Sequence, residues 1–304
     1  MTTTQALDSR DAAALLQGGM RPGELRVLIK NELTLQQYTR LNAAELAILK
    51  LSRVTPLFVE ADGVELLLKS DPRYPSALQT VASAPEVLYV RGSLDALALG
   101  IGAVGTRQIT SIGQNVARFA AVAAQAAGAP LVSGLARGCD IAAHKAANEL
   151  GVPSVAVLAC GVDQVYPSEH ADTLELLLAQ GGAVVSEQPF GTQVNPGRLM
   201  ARNRIIIGLS AAVIPCEAPR GSRGTVQAVG TAFREGRFVI VARVKPSWRS
   251  QPGAWLSERL IRADINWAEL GWDPARVGSG AHGVADTAGD LTEMVRFAVL
   301  FASA

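Results

Sequence analysis

From Leu97 onward, short apolar runs alternate with longer stretches of mixed polarity. The runs at 99–104, 130–134, 153–160, 183–186, 211–217 and 237–243 are rich in Val and Ala and are mostly bounded by Gly or Pro. Between them lie stretches of helical length at about 112–127, 139–150, 168–180, 199–208 and 225–235. Near-continuous apolar strands separated by helices predict an α/β fold, with a doubly wound parallel sheet covered on both faces. The alanine-rich stretch from Ile112 to Ala127 predicts a helix that approaches the sheet closely.

Ahead of this core, apolar residues recur at helical spacing in short groups: Leu25 and Leu28, then Leu35, Tyr38 and Leu41, then Leu46 and Leu49. Residues 1–66 therefore read as a small, mostly helical region. The tail from Pro246 holds Trp248, Trp255, Trp267 and Trp272. Within it, VGSGAHGVADTAGD reads as a flexible loop before a last helix near Leu291–Phe301. The division expected is 1–66, 67–270 and 271–304.

Composition narrows the function. At 304 residues, 49% hydrophobic and 18% charged, the chain can bury a sizeable core. Arg118 and Gln125 interrupt the longest alanine-rich stretch, so no span suits a bilayer. The start MTTTQALDSRD lacks the pattern of a secretory signal, which makes the cytoplasm the expected location. Cys139, Cys160 and Cys216 match no zinc or disulfide spacing, and His144, His170 and His282 are scattered, so no metal or other cofactor is expected. Net charge is only +1, so any polyanion site must be a local patch.

Four segments suggest such a patch: Val104-Gly105-Thr106-Arg107, Ser133-Gly134-Leu135-Ala136-Arg137-Gly138-Cys139-Asp140, Ala201-Arg202-Asn203-Arg204-Ile205-Ile206 and Arg220-Gly221-Ser222-Arg223-Gly224-Thr225. Three of them follow a predicted strand. Ligands bind outside the carboxyl ends of strands in such sheets, where glycine admits a phosphate and the next helix offers unpaired N–H groups. Six arginines in four such segments suit a polyanion better than one small acid. The Thr106 hydroxyl and amide, with the Arg107 fork, are expected to hold one phosphate. Gly134 and Gly138 bracket a loop beginning at Ser133 whose amides can face another. Gly221, Ser222, Gly224 and Thr225 form a third anion site at a helix start.

Other residues read as supports. Asp140 and His144, four apart on one helix face, are expected to orient Arg137 and hold the loop, since no nucleophile is placed with them. Arg202 and Arg204, either side of Asn203, cannot face the same way. One is expected to meet phosphate while the other pairs with a carboxylate such as Glu187 or Glu217; the alternative is that both form ion pairs. Gly100-Ile101-Gly102-Ala103-Val104-Gly105 formally matches a dinucleotide-binding fingerprint. Its first two glycines fall inside the strand, however, the helix starts too late, and no acidic residue ends the second strand.

The order GTR, SGLARGCDIAAH, ACGVDQVYP, SEQPFG, ARNRIIIGLS and GSRGT resembles the DNA-processing protein DprA (Smf) family. So does the lead-in DPRYP followed by APEVLYVRG, and the match runs from about Leu67 to Asp264. The resemblance implies a Rossmann-like core, single-stranded DNA binding with Arg107 as a contact, loading of a RecA-type recombinase, a homodimer and no established catalytic reaction. Residues 1–66 resemble only weakly the helical domain that often precedes that core. In the family a basic or aromatic residue shortly after Tyr166-Pro167 contacts DNA. Here Ser168-Glu169-His170 stand instead, leaving His170 to stack on a base. The GSRGT segment also resembles cytokinin-activating phosphoribohydrolases, which would make this a nucleotide- or ADP-ribose-binding sensor or hydrolase. Those enzymes need glutamate just after Gly-Thr, where this chain has Val226, Gln227 and Ala228.

Overall fold

A computed structural model describes residues 7–302 other than 60, 244–246, 248, 271, 278 and 279; Trp248 lies outside the described residues. The six apolar runs form strands β3 (Gly100–Val104), β4 (Leu131–Ser133), β5 (Ser154–Val157), β6 (Ala183–Ser186), β7 (Ser210–Pro215) and β8 (Phe238–Ala242). All six are paired in parallel, in the order β6-β5-β4-β3-β7-β8.

Two additions make the sheet nine-stranded and mixed. At one edge β1 (Val64–Leu68) and β2 (Val87–Gly92) run antiparallel to each other, and β2 runs antiparallel to β6. At the other edge β9 (Gly283–Ala285) pairs in parallel with β8, inside the stretch read as a flexible loop. Only three residues pair there, so the apolar pattern is too short to register.

Side chains alternate between the faces, as a pleated strand requires. On one face, Ile101, Ala103, Leu131, Ala212 and Ile214 pack against helices α6 (Ser111–Ala127), α7 (Cys139–Leu150) and α13 (Ala288–Ala302). Ala117, Ala120, Ala121 and Ala124 are fully buried, which lets α6 lie close to its neighbours. On the opposite face Val104, Val132, Val155, Val157 and Val213 meet α10 (Asn203–Gly208), α11 (Arg223–Arg234) and α12 (Trp255–Arg262).

The amino-terminal helices α1 (Ser9–Gln17), α2 (Pro22–Lys30), α3 (Leu35–Arg40) and α4 (Ala43–Leu49) follow the short apolar groups. Leu15, Leu25, Leu28 and Tyr38 join one cluster with Leu68, Tyr89, Ala156 and Val184 of the sheet. Helices α5 (Ser76–Gln79), α8 (Ala171–Ala179) and α9 (Pro196–Ala201) complete the set among the described residues. None of the helices described is long and apolar enough to cross a membrane.

Chain order places the ligand crevice. From β3 the chain steps through β4 and β5 to β6 on one side, then returns beyond β3 to β7, β8 and β9. The direction of winding reverses between β3 and β7, and ligands in open α/β sheets bind outside the carboxyl ends at such a point.

Candidate nucleic-acid interface

A cleft of about 450 Å³ lies at this reversal, with Arg107, Arg202, Asn203, Arg220, Arg223 and Thr225 in its walls. Its floor is the turn after β3. Gly105 abuts Cys139. The Thr106 amide donates to the Glu217 carbonyl at 2.8 Å, and the Thr106 carbonyl accepts the Cys139 amide at 3.0 Å. The Thr106 amide is therefore not free for a phosphate, a correction to the sequence reading. Arg107 is exposed and, among the described residues, forms no ion pair.

The start of α6 is closed as well. Buried Glu217 accepts the Thr110 amide at 2.8 Å, the Thr110 hydroxyl at 2.9 Å and the Gly113 amide at 3.2 Å. A protein carboxylate thus occupies the helix end that holds pyrophosphate in dinucleotide-binding sheets. Glu217 is not the partner of Arg202 or Arg204.

The 133–138 loop is braced from within. Ser133 is fully buried and donates its hydroxyl to the Ala103 carbonyl at 2.7 Å, stitching β4 to β3 rather than facing an anion. Gly134 lies directly beneath the Arg202 guanidinium, which a Cβ would displace. Gly138 has φ +80, and its backbone presses on that of Thr106 and Arg107, so a side chain there meets both strain and a clash. His170 is buried and donates from Nδ1 to the Leu135 carbonyl at 2.7 Å. It clips the loop and does not stack on a base. Tyr166 stays exposed.

Arg137 does not pair with Asp140. Its Nε and Nη2 each reach Glu169 at 2.7 Å, and this fork holds the Glu169 carboxyl below the usual range. Asp140 instead accepts Arg202 Nη2 at 3.3 Å and the Ala136 amide at 3.4 Å. Burial pushes its pKa up, against the pull of Arg202. His144 is fully buried with Nδ1 3.2 Å from the Ser154 hydroxyl, and burial pushes its pKa down to about 3. It is a neutral ring buried beside Ser154 and the backbone of Ser133, at the start of the loop. The neighbouring Cys139 thiol is held protonated by its contact with Cys216 and by burial. The carboxylate is thus taken up by Arg202, while the imidazole and thiol are buried and uncharged.

Arg202 and Arg204 take the alternative in which both are paired. The chain breaks between α9 and α10 at Arg202, which turns inward to Asp140 and donates to the Val157 carbonyl. Arg204 reaches Glu187 at 2.7 and 2.5 Å and the Ser83 carbonyl at 2.6 Å. Neither is available to a phosphate, contrary to the expectation for one of them. Asn203 ties α10 to the start of α11, donating to Gln227 Oε1 at 2.9 Å and to the Gly224 carbonyl at 3.3 Å.

The open end is that of α11. Ser222 precedes it without a side-chain cap, so the Gly224 and buried Thr225 amides in the first turn have no intrahelical partner. Gly221 and Arg220 are exposed just before it and Arg223 just inside it. Together with Arg107 they place three exposed guanidinium groups, unpaired among the described residues, around one helix start. Arg220 and Arg223 were counted among the six arginines of the sequence but not named individually as contacts. The available signal was their position on either side of Gly221-Ser222; the nearby Glu217 is taken up by Thr110 and Gly113 and leaves them free.

This constellation lies within residues 65–266, the stretch matched by the family model for DNA recombination-mediator protein A. The chain belongs to that family. Helices α1–α4 and α13, with strand β9, fall outside the stretch matched by the recombination-mediator model. Protein Smf of Synechocystis sp. is 38% identical over 169 residues, 54% of this chain and 42% of that protein. The chain thus spans less than half the length of that relative. Among solved structures, DNA processing protein A (DprA) from Streptococcus pneumoniae superposes with a TM-score of 0.73 at 23% identity, over 96% of this chain and 99% of that one. DNA processing protein A from Helicobacter pylori, described for its unique single-stranded DNA binding mode, gives 0.56 at 24% identity, over 68% and 94%.

Proposed function

We propose that this chain binds single-stranded DNA through its sugar-phosphate backbone, across the cleft between the ends of β3 and β7. The observation that carries this reading is the set Arg107, Arg220 and Arg223 around the uncapped start of α11. Guanidinium forks and helix-start amides both favour a phosphate. The chain's net charge is near zero, so attraction comes from the patch and falls steeply with salt. The relative described by its single-stranded DNA binding mode supports the choice of ligand. A RecA-type recombinase and a second copy of this chain are the partners that the reading implies, and it assigns the protein to DNA recombination or uptake rather than to catalysis.

The test is a titration of labelled single-stranded DNA at several salt concentrations. Three backbone contacts give a slope of log affinity against log salt of about −2, at roughly −0.7 per contact. A slope near zero, or preferential binding of AMP or ADP-ribose, would transfer the cleft to a nucleotide-sensing role.

A further inference from the structure

A second cavity of about 710 Å³ opens beside the phosphate cleft, sharing Met200, Arg220, Gly221 and Arg223 with it. Its walls differ in kind from those of the cleft. Trp255, Trp272, Ile265 and Leu270 supply flat and apolar surface, while Gln227 and Asn266 supply amides. Trp272 is fixed in place: its ring lies against Gly230 of α11, where a Cβ would stand 2.6 Å from the nearest ring atom, and the Arg234 guanidinium sits 5.4 Å from its centroid. Asp264 and Glu269 also line the cavity. Asp264 is paired with Arg259 at 3.1 Å and Glu269 accepts Asn266 Nδ2 at 2.8 Å.

Arg259, the lining cation that this cavity does not share with the cleft, is taken up by Asp264, and Glu269 adds a further acid. Beyond the shared rim, no unpaired cation among the described residues therefore awaits a phosphate. Aromatic walls with amide edges instead match a base, which has an apolar face and a polar rim. The shared rim carries the two arginines already assigned to the backbone. A strand held by its phosphates on Arg220 and Arg223 therefore has its bases within reach of Trp255. We propose that this cavity receives an unstacked nucleobase of the bound strand. The proposal rests on the reading of the cleft given above, and it makes the pocket a device that favours single strands, because a paired base cannot enter.

The experiment compares oligothymidylate with an abasic deoxyribose-phosphate chain of the same length and charge, by anisotropy, on the full chain. Wild type is expected to bind the abasic chain roughly tenfold more weakly, as loss of base–aromatic stacking implies. Trp255→Leu should lose affinity for oligothymidylate and leave the abasic chain unaffected, and Trp255→Phe should restore it. Leu270→Asn, on the exposed lip, should act in the same direction should Trp255→Leu fail to fold. Arg220→Ala should weaken both chains alike. Equal binding of the two chains by wild type, or equal weakening of both by the Trp255 and Leu270 variants, overturns the pocket while leaving the cleft intact. Failure of wild type to bind either chain overturns both.

Discussion

Glu217 caps α6 through Thr110, accepting its amide at 2.8 Å and its hydroxyl at 2.9 Å. This one relationship separates the fold from dinucleotide-binding sheets of similar topology. The positive end of a 17-residue helix is already matched by a buried carboxylate, so the exogenous anion must go elsewhere.

Removing that cap should be felt in stability. Glu217→Ala leaves the Thr110 and Gly113 amides without their charged acceptor, and each such bond contributes about 1.5–3 kcal/mol. A loss of at least about 2 kcal/mol in urea unfolding is the expected outcome. An unchanged midpoint would mean that water replaces the carboxylate without cost.

Burial of His144 predicts an acid-sensitive fold. Its pKa falls from 6.5 to about 3 in the folded chain, so between those values the unfolded chain binds a proton that the folded chain does not. Stability is therefore retained above pH 6.5 and lost as pH falls below it, with a limiting slope of about 1.4 kcal/mol per pH unit. His144→Gln removes this titration, and its stability between pH 6.5 and 5 should fall less than that of wild type by about 1.5 kcal/mol. Parallel profiles in urea unfolding would show that His144 is protonated in place.

The parallel core was legible in the sequence because each strand is a Val- and Ala-rich run closed by glycine or proline. The helices between them followed from the length and mixed polarity of the stretches that separate the strands, and α6 from its alanines as well. The edges were less legible. Strand β9 is three residues long, and β2 was apparent as part of a family motif rather than as a strand running against β6. Partner choice at the site was legible only in part. Glu187 was expected as a partner for one of Arg202 and Arg204 and takes Arg204, whereas Asp140 for Arg202 and Glu169 for Arg137 were missed because each lies far off in the chain. Arg202 finds Asp140 across 62 positions, Arg137 finds Glu169 across 32 and Arg204 finds Glu187 across 17. Residue type announced six candidate cations, and only tertiary packing shows which three are neutralised by protein.

The Arg137–Glu169 pair can be turned into a gain of binding. Both side chains are largely exposed, so the pair adds little to the fold. His170 still clips the Leu135 carbonyl without it. Glu169→Gln should release the Arg137 fork toward the strand, tightening single-stranded DNA severalfold and steepening the salt dependence by about 0.7. Unchanged affinity and slope would place Arg137 outside the DNA path.

The three exposed arginines should separate cleanly from buried, ion-paired Arg202. Arg107→Ala, Arg220→Ala and Arg223→Ala each remove a charge-assisted phosphate contact worth on the order of 1.5–3 kcal/mol, which is roughly tenfold or more in affinity. Each should lower the salt slope by about 0.7 and leave thermal unfolding near wild type, because none fills the core. Arg202→Met should behave in the opposite way. It leaves Asp140 buried without its partner, a change that costs about 3–5 kcal/mol of stability, and any loss of DNA binding should follow the unfolded fraction. If Arg107→Ala instead lowered the melting temperature while DNA affinity held, Arg107 would belong to the same electrostatic network as Asp140 and Arg202. The phosphate path would then run along Arg220 and Arg223 alone, and the cleft would take one phosphate group rather than a continuous backbone.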